Sequence, residues 1–175
     1  MDGQSASQDN TIWWICFPRV KFEYKKTNVI PAPGFESGEL YQTKIPIVLV
    51  GPTGNLRFEA LVDTGSDQTI FPRTDVKEIT GIVIDKNLKS EVKGRLEHHN
   101  ESLYFAHNTK LQISKDQEIY EFPAPIWFSD EENSPAILGH SGFLEYFTIT
   151  FDGENHELTL EPNKNFPGTS KKLAW

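Results

Sequence analysis

The sequence predicts a mostly β domain with two short helices, and three observations support this fold class. Hydrophobic side chains recur at every second position in several short segments, a period typical of half-buried strands. Turn-forming residues, including 12 glycines and 11 prolines, separate these segments. The chain has 175 residues, of which 37% are hydrophobic and 24% charged, so it is long and apolar enough to fold around one core.

The amino-terminal part of the chain is less regular than the rest. Residues 11–24 are rich in aromatic side chains and predict an extended arm, in which Val20, Phe22 and Tyr24 alternate as in a strand. Residues 27–39 contain two prolines and two glycines, which predict a linker or a long loop.

The clearest strand pattern in the chain leads directly to an aspartate. Apolar side chains alternate over residues 45–49, and a turn is predicted at residues 51–54. Alternation resumes over residues 56–62, and Asp63 follows at the end of that predicted strand. Residues 74–80 predict a short helix, since Thr74 can cap its start and Gly81 can end it.

The second half of the chain predicts more short strands and a second helix. The strand segments are residues 82–84, 103–105, 111–113 and 119–128. A short helical segment is predicted where Phe143, Leu144 and Phe147 fall on one side. Residues 148–151 and 157–160 predict a hairpin, because Asp152 and Gly153 form a typical turn pair.

The charge balance and the cysteine count exclude several function classes. With 17 Lys and Arg against 25 Asp and Glu, the net charge is −8, so we expect no nucleic-acid partner. The apolar run at residues 12–17 is far shorter than the roughly 20 residues of a membrane helix, so we expect no membrane partner. One cysteine, Cys16, excludes a disulfide framework and fits a reducing, cytoplasmic location.

The residues that indicate a function most clearly are Asp63, Thr64, Gly65 and Ser66. They place a carboxylate at a strand end on a tight turn, next to two hydroxyl side chains. Three interpretations are open. The segment is a turn without chemistry, the start of a phosphate site like that of actin-like sugar-kinase ATPases, or half of an aspartic-protease site. The ATPase fold needs two large lobes, which this chain is too short to build.

A second motif favours the protease interpretation. Residues 136–139 (AILG) precede the second predicted helix, and the segments LVDTGSD and AILGHSGFLEYFTITFD together resemble the retropepsin-like aspartic proteases. These are the retroviral proteases and their single-domain cellular relatives. The resemblance covers residues 41–162 and implies a closed β-barrel with two short helices. It places a protease domain at residues 39–165, between an amino-terminal arm or linker at 1–38 and a carboxy-terminal tail at 166–175.

The chemistry of this family needs two carboxylates about 3 Å apart that share one proton. One activates a water molecule as a general base, and the other donates a proton to the scissile carbonyl. This chain has one Asp-Thr-Gly motif. The resemblance therefore implies a two-fold homodimer that pairs Asp63 with the Asp63 of a second copy and hydrolyses a peptide or protein substrate. It implies no metal and no cofactor.

The resemblance also assigns site residues. The catalytic set is Asp63, Thr64 and Gly65. The substrate-binding set is Ser66, Asp67, Gly94, Leu138 and Gly139. Within these sets, Thr64 is expected to brace the two active-site loops against each other, Ser66 to donate a hydrogen bond to the Asp63 carboxylate, and Leu138 and Gly139 to pack beneath the Asp63 loop.

Two features support an alternative function: the atypical predicted flap, and the long amino-terminal region, which in this alternative lies in the cleft as an autoinhibitory segment. The predicted flap, residues 92–107, has Gly94 as its single glycine, whereas family flap tips are usually glycine-rich. The residue His140 is a separate departure from the family pattern. The family commonly has Arg after the apolar-apolar-Gly motif, and here His140 either pairs with Asp67, caps the following helix or faces solvent. The alternative is a weak or inactive retropepsin-like module that dimerises or binds peptides. For either function, residues 148–151 and 157–160 are expected to form the dimer interface.

Overall fold

A computed structural model describes residues 17–93, 100–131 and 134–172 of the chain. The expected flap residue Gly94 and Cys16 lie outside the described residues. Within the described part the chain is mostly β. None of its helices has the length and apolar character needed to cross a membrane.

Fifteen strands and one α-helix form in this part of the chain. In chain order they are β1 (Val20–Glu23), β2 (Lys25–Asn28), β3 (Glu39–Gln42), β4 (Lys44–Val50), β5 (Asn55–Val62), β6 (Ile70–Pro72), α1 (Val76–Thr80), β7 (Ile84–Lys93), β8 (Asn100–Ala106), β9 (Lys110–Lys115), β10 (Glu118–Pro123), β11 (Ile126–Ser129), β12 (Ile137–Leu138), β13 (Phe147–Asp152), β14 (Glu157–Pro162) and β15 (Thr169–Lys172).

Ten strands form one mixed sheet in the order β15-β10-β9-β4-β5-β12-β6-β11-β8-β7. A three-stranded sheet has the order β1-β14-β13, and β2 pairs with β3 in a two-stranded sheet. Parallel pairing occurs between β5 and β12 and between β6 and β11, and the other pairs are antiparallel. The two parallel pairs flank the segment that carries Asp63.

The expected closed β-barrel is wrong. Over the described residues the large sheet is open, because β15 and β7 each pair with one neighbour and lie at opposite ends of the strand order. Both end strands carry charged residues, among them Lys171 and Lys172 on β15 and Asp85, Lys86 and Lys89 on β7. Charged side chains of this kind protect a solvent-facing edge and disfavour further pairing.

The expected pair of short helices is also wrong. The first segment contains the five-residue α1, which lies between two residues with left-handed φ, Asp75 at 61° and Gly81 at 70°. The second segment is a three-residue 3₁₀ turn, Leu144–Tyr146. It is short because β13 begins at Phe147, which is buried with Phe143 in the core.

The main core contains apolar side chains from both larger sheets. Ile45, Ile47 and Leu49 of β4 and Leu158 and Leu160 of β14 are fully buried. Burial of side chains this size contributes about 1.5 to 3 kcal/mol each relative to exposure.

An aromatic cluster closes one side of this core. Phe122 lies 5.6 Å from Phe147 and 5.3 Å from Phe166 between ring centroids. Phe17 lies 5.2 Å from Phe166 in an edge-on arrangement. Aromatic pairs in this geometry add stability beyond their buried area. Phe17 and Phe166, which lie near the two ends of the described chain, therefore pack against the core.

Residues from 17 onward, which the sequence places in an arm, are tied to the protein by β1. This strand pairs with β14, and its Val20 and Phe22 are buried in the main core. The buried hydroxyl of Tyr120 donates a hydrogen bond to the carbonyl of Pro18. Burial, with a smaller contribution from the charge of Glu118, raises the pKa of Tyr120 to about 12, so the hydroxyl keeps its proton.

Close backbone contact joins the β4–β5 turn to the end of α1. The Thr53 amide donates to the Thr80 carbonyl at 3.1 Å. A Cβ atom on Gly51 would lie 2.3 Å from that same carbonyl oxygen. Glycine at position 51 is therefore required for α1 to approach the turn.

We predict that Gly51→Ala destabilises the protein by about 2 kcal/mol, because the methyl group forces the turn away from α1. The free energy of unfolding measured in urea checks this. Gly153→Ala is the matched control, since no atom lies within 4 Å of a Cβ at that position. Equal stability of the two variants would contradict this account of the contact.

Candidate active site

The Asp63 segment lies where β12 is inserted between two consecutive strands. The chain leaves β5 at Val62, loops through residues 63–69 and returns as β6, while β12 occupies the position between them. Leu138 of β12 pairs with Val62 in parallel, and Ile137 pairs with Ile70 of β6. The loop from β5 to β6 therefore crosses the end of β12.

Three hydrogen bonds define the conformation at Asp63. Its amide donates to the Leu138 carbonyl at 3.1 Å, which fixes the loop start against β12. The Gly65 amide donates to Asp63 Oδ1 at 2.9 Å, and the Ser66 amide donates to the Asp63 carbonyl at 3.2 Å. The Ser66 bond closes a β-turn, and the Gly65 bond to the side chain forms an Asx-turn within it. The Asp63 side chain is half-buried, while Thr64 and Gly65 are exposed.

The residues after β12 hold the second half of the loop. His140 and Ser141 donate backbone hydrogen bonds to the carbonyls of Ser66 and Asp67 at 2.8 and 2.9 Å. The Thr69 amide returns a bond to the Ser141 carbonyl at 3.1 Å. These backbone bonds pair the two motifs, which are far apart in the sequence, along their length.

Gly139 lies directly against the loop. Its amide donates to the buried hydroxyl of Thr69 at 3.2 Å. A Cβ atom at position 139 would lie 2.2 Å from the Gln68 carbonyl oxygen and 2.8 Å from that of Ser66. The structure thus brings Leu138 and Gly139 together with Asp63, Ser66 and Asp67.

Ser66 and His140 differ from what the resemblance suggests. The Ser66 hydroxyl donates to the Gln68 carbonyl at 2.8 Å, and a hydroxyl has one proton to donate. In the single chain, the Ser66 hydroxyl therefore donates its proton within the loop and not to the Asp63 carboxylate. His140 is exposed and forms no ion pair with Asp67 in the part of the chain that the structure describes.

The described part of the predicted flap region belongs mainly to two antiparallel strands, β7 and β8. The pairing of β7 with β8 begins with Ile84 opposite Ala106 and ends with Lys93 opposite Asn100. The register shifts between Asp85 and Lys89. The substrate-binding role assigned to Gly94 falls outside the described residues.

Sequence reasoning missed Thr69 as part of the site. No local pattern identifies it, because its partner Gly139 is 70 positions away. A buried threonine one residue before an apolar strand is otherwise ordinary, and its role follows from the pairing of β12 beside β6.

Comparison of the chain with models of known protein families and with curated proteins finds no match.

We predict that Thr69→Val lowers the free energy of unfolding by about 1 to 3 kcal/mol, because the isosteric side chain leaves the buried Gly139 amide without an acceptor. Urea unfolding measures the change. Thr27→Val, at an exposed position on β2, is the control and should be neutral. If Thr69→Val matches Thr27→Val, the hydroxyl does not hold the loop.

Proposed function

We propose that this protein is a retropepsin-like aspartic endopeptidase, in which two Asp63 carboxylates of a homodimer activate water for peptide-bond hydrolysis. The observation that carries the proposal is the backbone pairing of the Asp63 loop with residues 138–141. That pairing fixes a half-buried carboxylate on a rigid turn next to a strand pair, which is the preorganisation that acid–base catalysis requires.

The proposed mechanism divides two roles between identical side chains. Two carboxylates about 3 Å apart repel each other when both are ionised, so the proposed mechanism uses a pair that shares one proton. The ionised Asp63 takes a proton from the attacking water. The protonated Asp63 donates to the carbonyl oxygen of the scissile bond. The proton taken from water then passes to the leaving nitrogen as the C–N bond breaks, which releases the two peptide products.

The remaining site residues are proposed to support this chemistry. Thr64 and Gly65 are exposed beside Asp63, where Thr64 can meet the loop of a second copy and the Gly65 carbonyl can accept from a substrate amide. Asp67 is also exposed and is proposed to contact substrate. Leu138 and Gly139 act as positioning residues beneath the loop.

A second copy is needed because the sequence contains one Asp-Thr-Gly motif. The proposed interface is the outer edge of β13, which pairs on one side with β14 and on its other side with no strand of the described chain. Phe151 on this strand is 40% exposed. Antiparallel pairing of two β13 edges would satisfy their backbone groups and relate the two copies by a two-fold axis.

Of the two strands that the sequence assigns to the interface, β14 has no free edge. β14, which includes residues 157–160, is the central strand of its sheet and is flanked by β1 and β13. Leu158 and Leu160 are 0% exposed, so charged substitutions there would unfold the chain rather than separate a dimer. The exposed residues Thr148 and Thr150 of β13 are the suitable positions.

We predict that the double variant Thr148→Lys and Thr150→Lys folds but is monomeric and inactive, because like charges meet across the proposed two-fold axis. Sedimentation equilibrium and peptide cleavage measure the two effects. Thr169→Lys on β15, the edge of the large sheet, is the control and should stay dimeric. A double variant that remains dimeric would place the interface elsewhere.

We predict that Asp63→Asn lowers peptide cleavage by about 10³-fold or more while the protein stays folded and dimeric, because the nearly isosteric amide cannot act as a general base. Cleavage of a diverse peptide pool from pH 4 to 7, with and without an aspartic-protease inhibitor, measures the loss. Asp116→Asn, at an exposed position on the β9–β10 turn, should behave as wild type. Full activity in Asp63→Asn would eliminate the protease assignment.

One observation favours the alternative of a weak or inactive peptide-binding module. The Ser66 hydroxyl is engaged with the Gln68 carbonyl, so it does not lend its proton to the Asp63 carboxylate in the single chain. Peptide binding by wild type without cleavage at any pH from 4 to 7 would select this alternative. For both functions we propose a cytoplasmic location, since a chain with one cysteine forms no internal disulfide.

A further inference from the structure

A row of apolar side chains crosses five neighbouring strands and leads to the Asp63 loop. Leu61 on β5 pairs with Ile137 on β12, which pairs in turn with Ile70 on β6. Ile70 pairs with Trp127 on β11, and Trp127 pairs with Phe105 on β8. Residues directly opposite each other on neighbouring strands project from the same face of the sheet. These five residues therefore form one continuous surface, called the apolar row below.

The apolar row lies on the face of the sheet opposite the main core. On each of these strands, the residue that follows the row member is buried in that core. Examples are Val62, Phe71, Phe128 and Leu138. Ile70 is 8% exposed and the other four members are half-buried, and all five lie outside the main core cluster. An apolar surface that is neither fully exposed nor part of the core fits a partner that is also apolar.

The row is aligned with the proposed catalytic group. Leu61 precedes Asp63 by two positions, and side chains two apart along an extended segment share a face. Strands lie about 4.8 Å apart, so Trp127 is three strands or about 14 Å from Leu61. An extended peptide advances about 3.3 Å per residue, so a peptide that crosses the strands from Asp63 reaches Trp127 at about its fourth residue.

The outer end of the row is aromatic and then acidic. The rings of Phe105 and Trp127 lie 5.3 Å apart at 59°, and His107 packs edge-on against Phe105 at 5.1 Å. Asp85 of β7 pairs with Phe105 and is the next residue outward. Its carboxylate accepts the Asn87 amide at 2.8 Å and forms no ion pair within the described part of the chain. A basic side chain is the complementary charge for this end.

We propose that Phe105 and Trp127 determine substrate specificity by binding a large apolar side chain at the fourth residue from the scissile bond, and that Asp85 selects a Lys or Arg beyond it. This inference rests on the proposed peptidase function. The occupant is an extended peptide, because an extended chain places side chains at fixed intervals along the row. The two-fold symmetry of a homodimer gives each side of the scissile bond one such surface.

The test uses two synthetic peptides that differ only in Phe or Ala at the fourth residue. Wild type should cleave the Phe peptide about 10-fold more efficiently in kcat/KM, which is typical of one large apolar contact. Trp127→Ala should reduce the ratio to near one, and Phe105→Ala is the second variant should Trp127→Ala fail to fold. Ile79→Ala, an exposed residue of α1, is the control and should keep the wild-type ratio.

A second comparison, between wild type and Asp85→Asn, tests the role of the Asp85 carboxylate. Asp85→Asn should remove a preference for Lys over Gln beyond the apolar residue while leaving the Phe-to-Ala ratio unchanged. A general loss of stability would not remove the preference at one peptide position while leaving the preference at the neighbouring position unchanged. An unchanged Lys preference in Asp85→Asn would contradict the role of that carboxylate.

The outcomes separate this inference from the proposed function. If wild type cleaves peptides with no preference at the fourth residue, the inference fails and the peptidase proposal stands. If wild type cleaves nothing, fluorescence anisotropy with the same two peptides, labelled, decides the matter. Binding that favours Phe and is lost in Trp127→Ala supports the surface without the peptidase, and equal or absent binding overturns it.

Discussion

The parallel pairing of β12 with β5 is the contact on which the candidate site depends. β12 has two residues, yet it separates β5 from β6, two strands that are consecutive along the chain. The loop between them must therefore cross the end of β12, and backbone bonds from residues 138–141 hold it there. Gly139 is required because any side chain at that position would meet the carbonyl oxygens of Gln68 and Ser66. A rigid turn that presents a carboxylate is the result.

The rest of the fold supports this pairing from the opposite face. Val62 and Leu138 are buried in the main core, where Phe122 and Phe166 pack against Phe147 of β13. The same strands that bury these residues present Leu61 and Ile137 on the other face, beside Asp63. One sheet thus provides both the stability and the apolar surface of the candidate site, because successive side chains of a strand alternate between faces.

The sequence predicted local features well and long-range features poorly. Alternation at residues 45–49 and 56–62 identifies β4 and β5, because a period of two is visible within a few residues. Whether the sheet closes depends on which strands pair at its ends, and no local pattern contains that information. The helix over residues 74–80 is shorter than expected because Asp75 adopts a left-handed φ. For the site, the motifs indicated which segments meet, but the Thr69 bond and the apolar row follow from register. The catalytic roles of Asp63, Thr64 and Gly65 remain predictions.

Subunit exchange between wild type and Asp63→Asn shows whether each site needs a carboxylate from both copies. Wild type and Asp63→Asn are combined at constant total concentration, allowed to exchange subunits, and assayed for peptide cleavage. If each site needs Asp63 from both copies, mixed dimers are inactive, and activity follows the square of the wild-type fraction, about one quarter for an equal mixture. Activity that falls in direct proportion to the wild-type fraction, about one half for an equal mixture, would show that one chain suffices and would contradict the account.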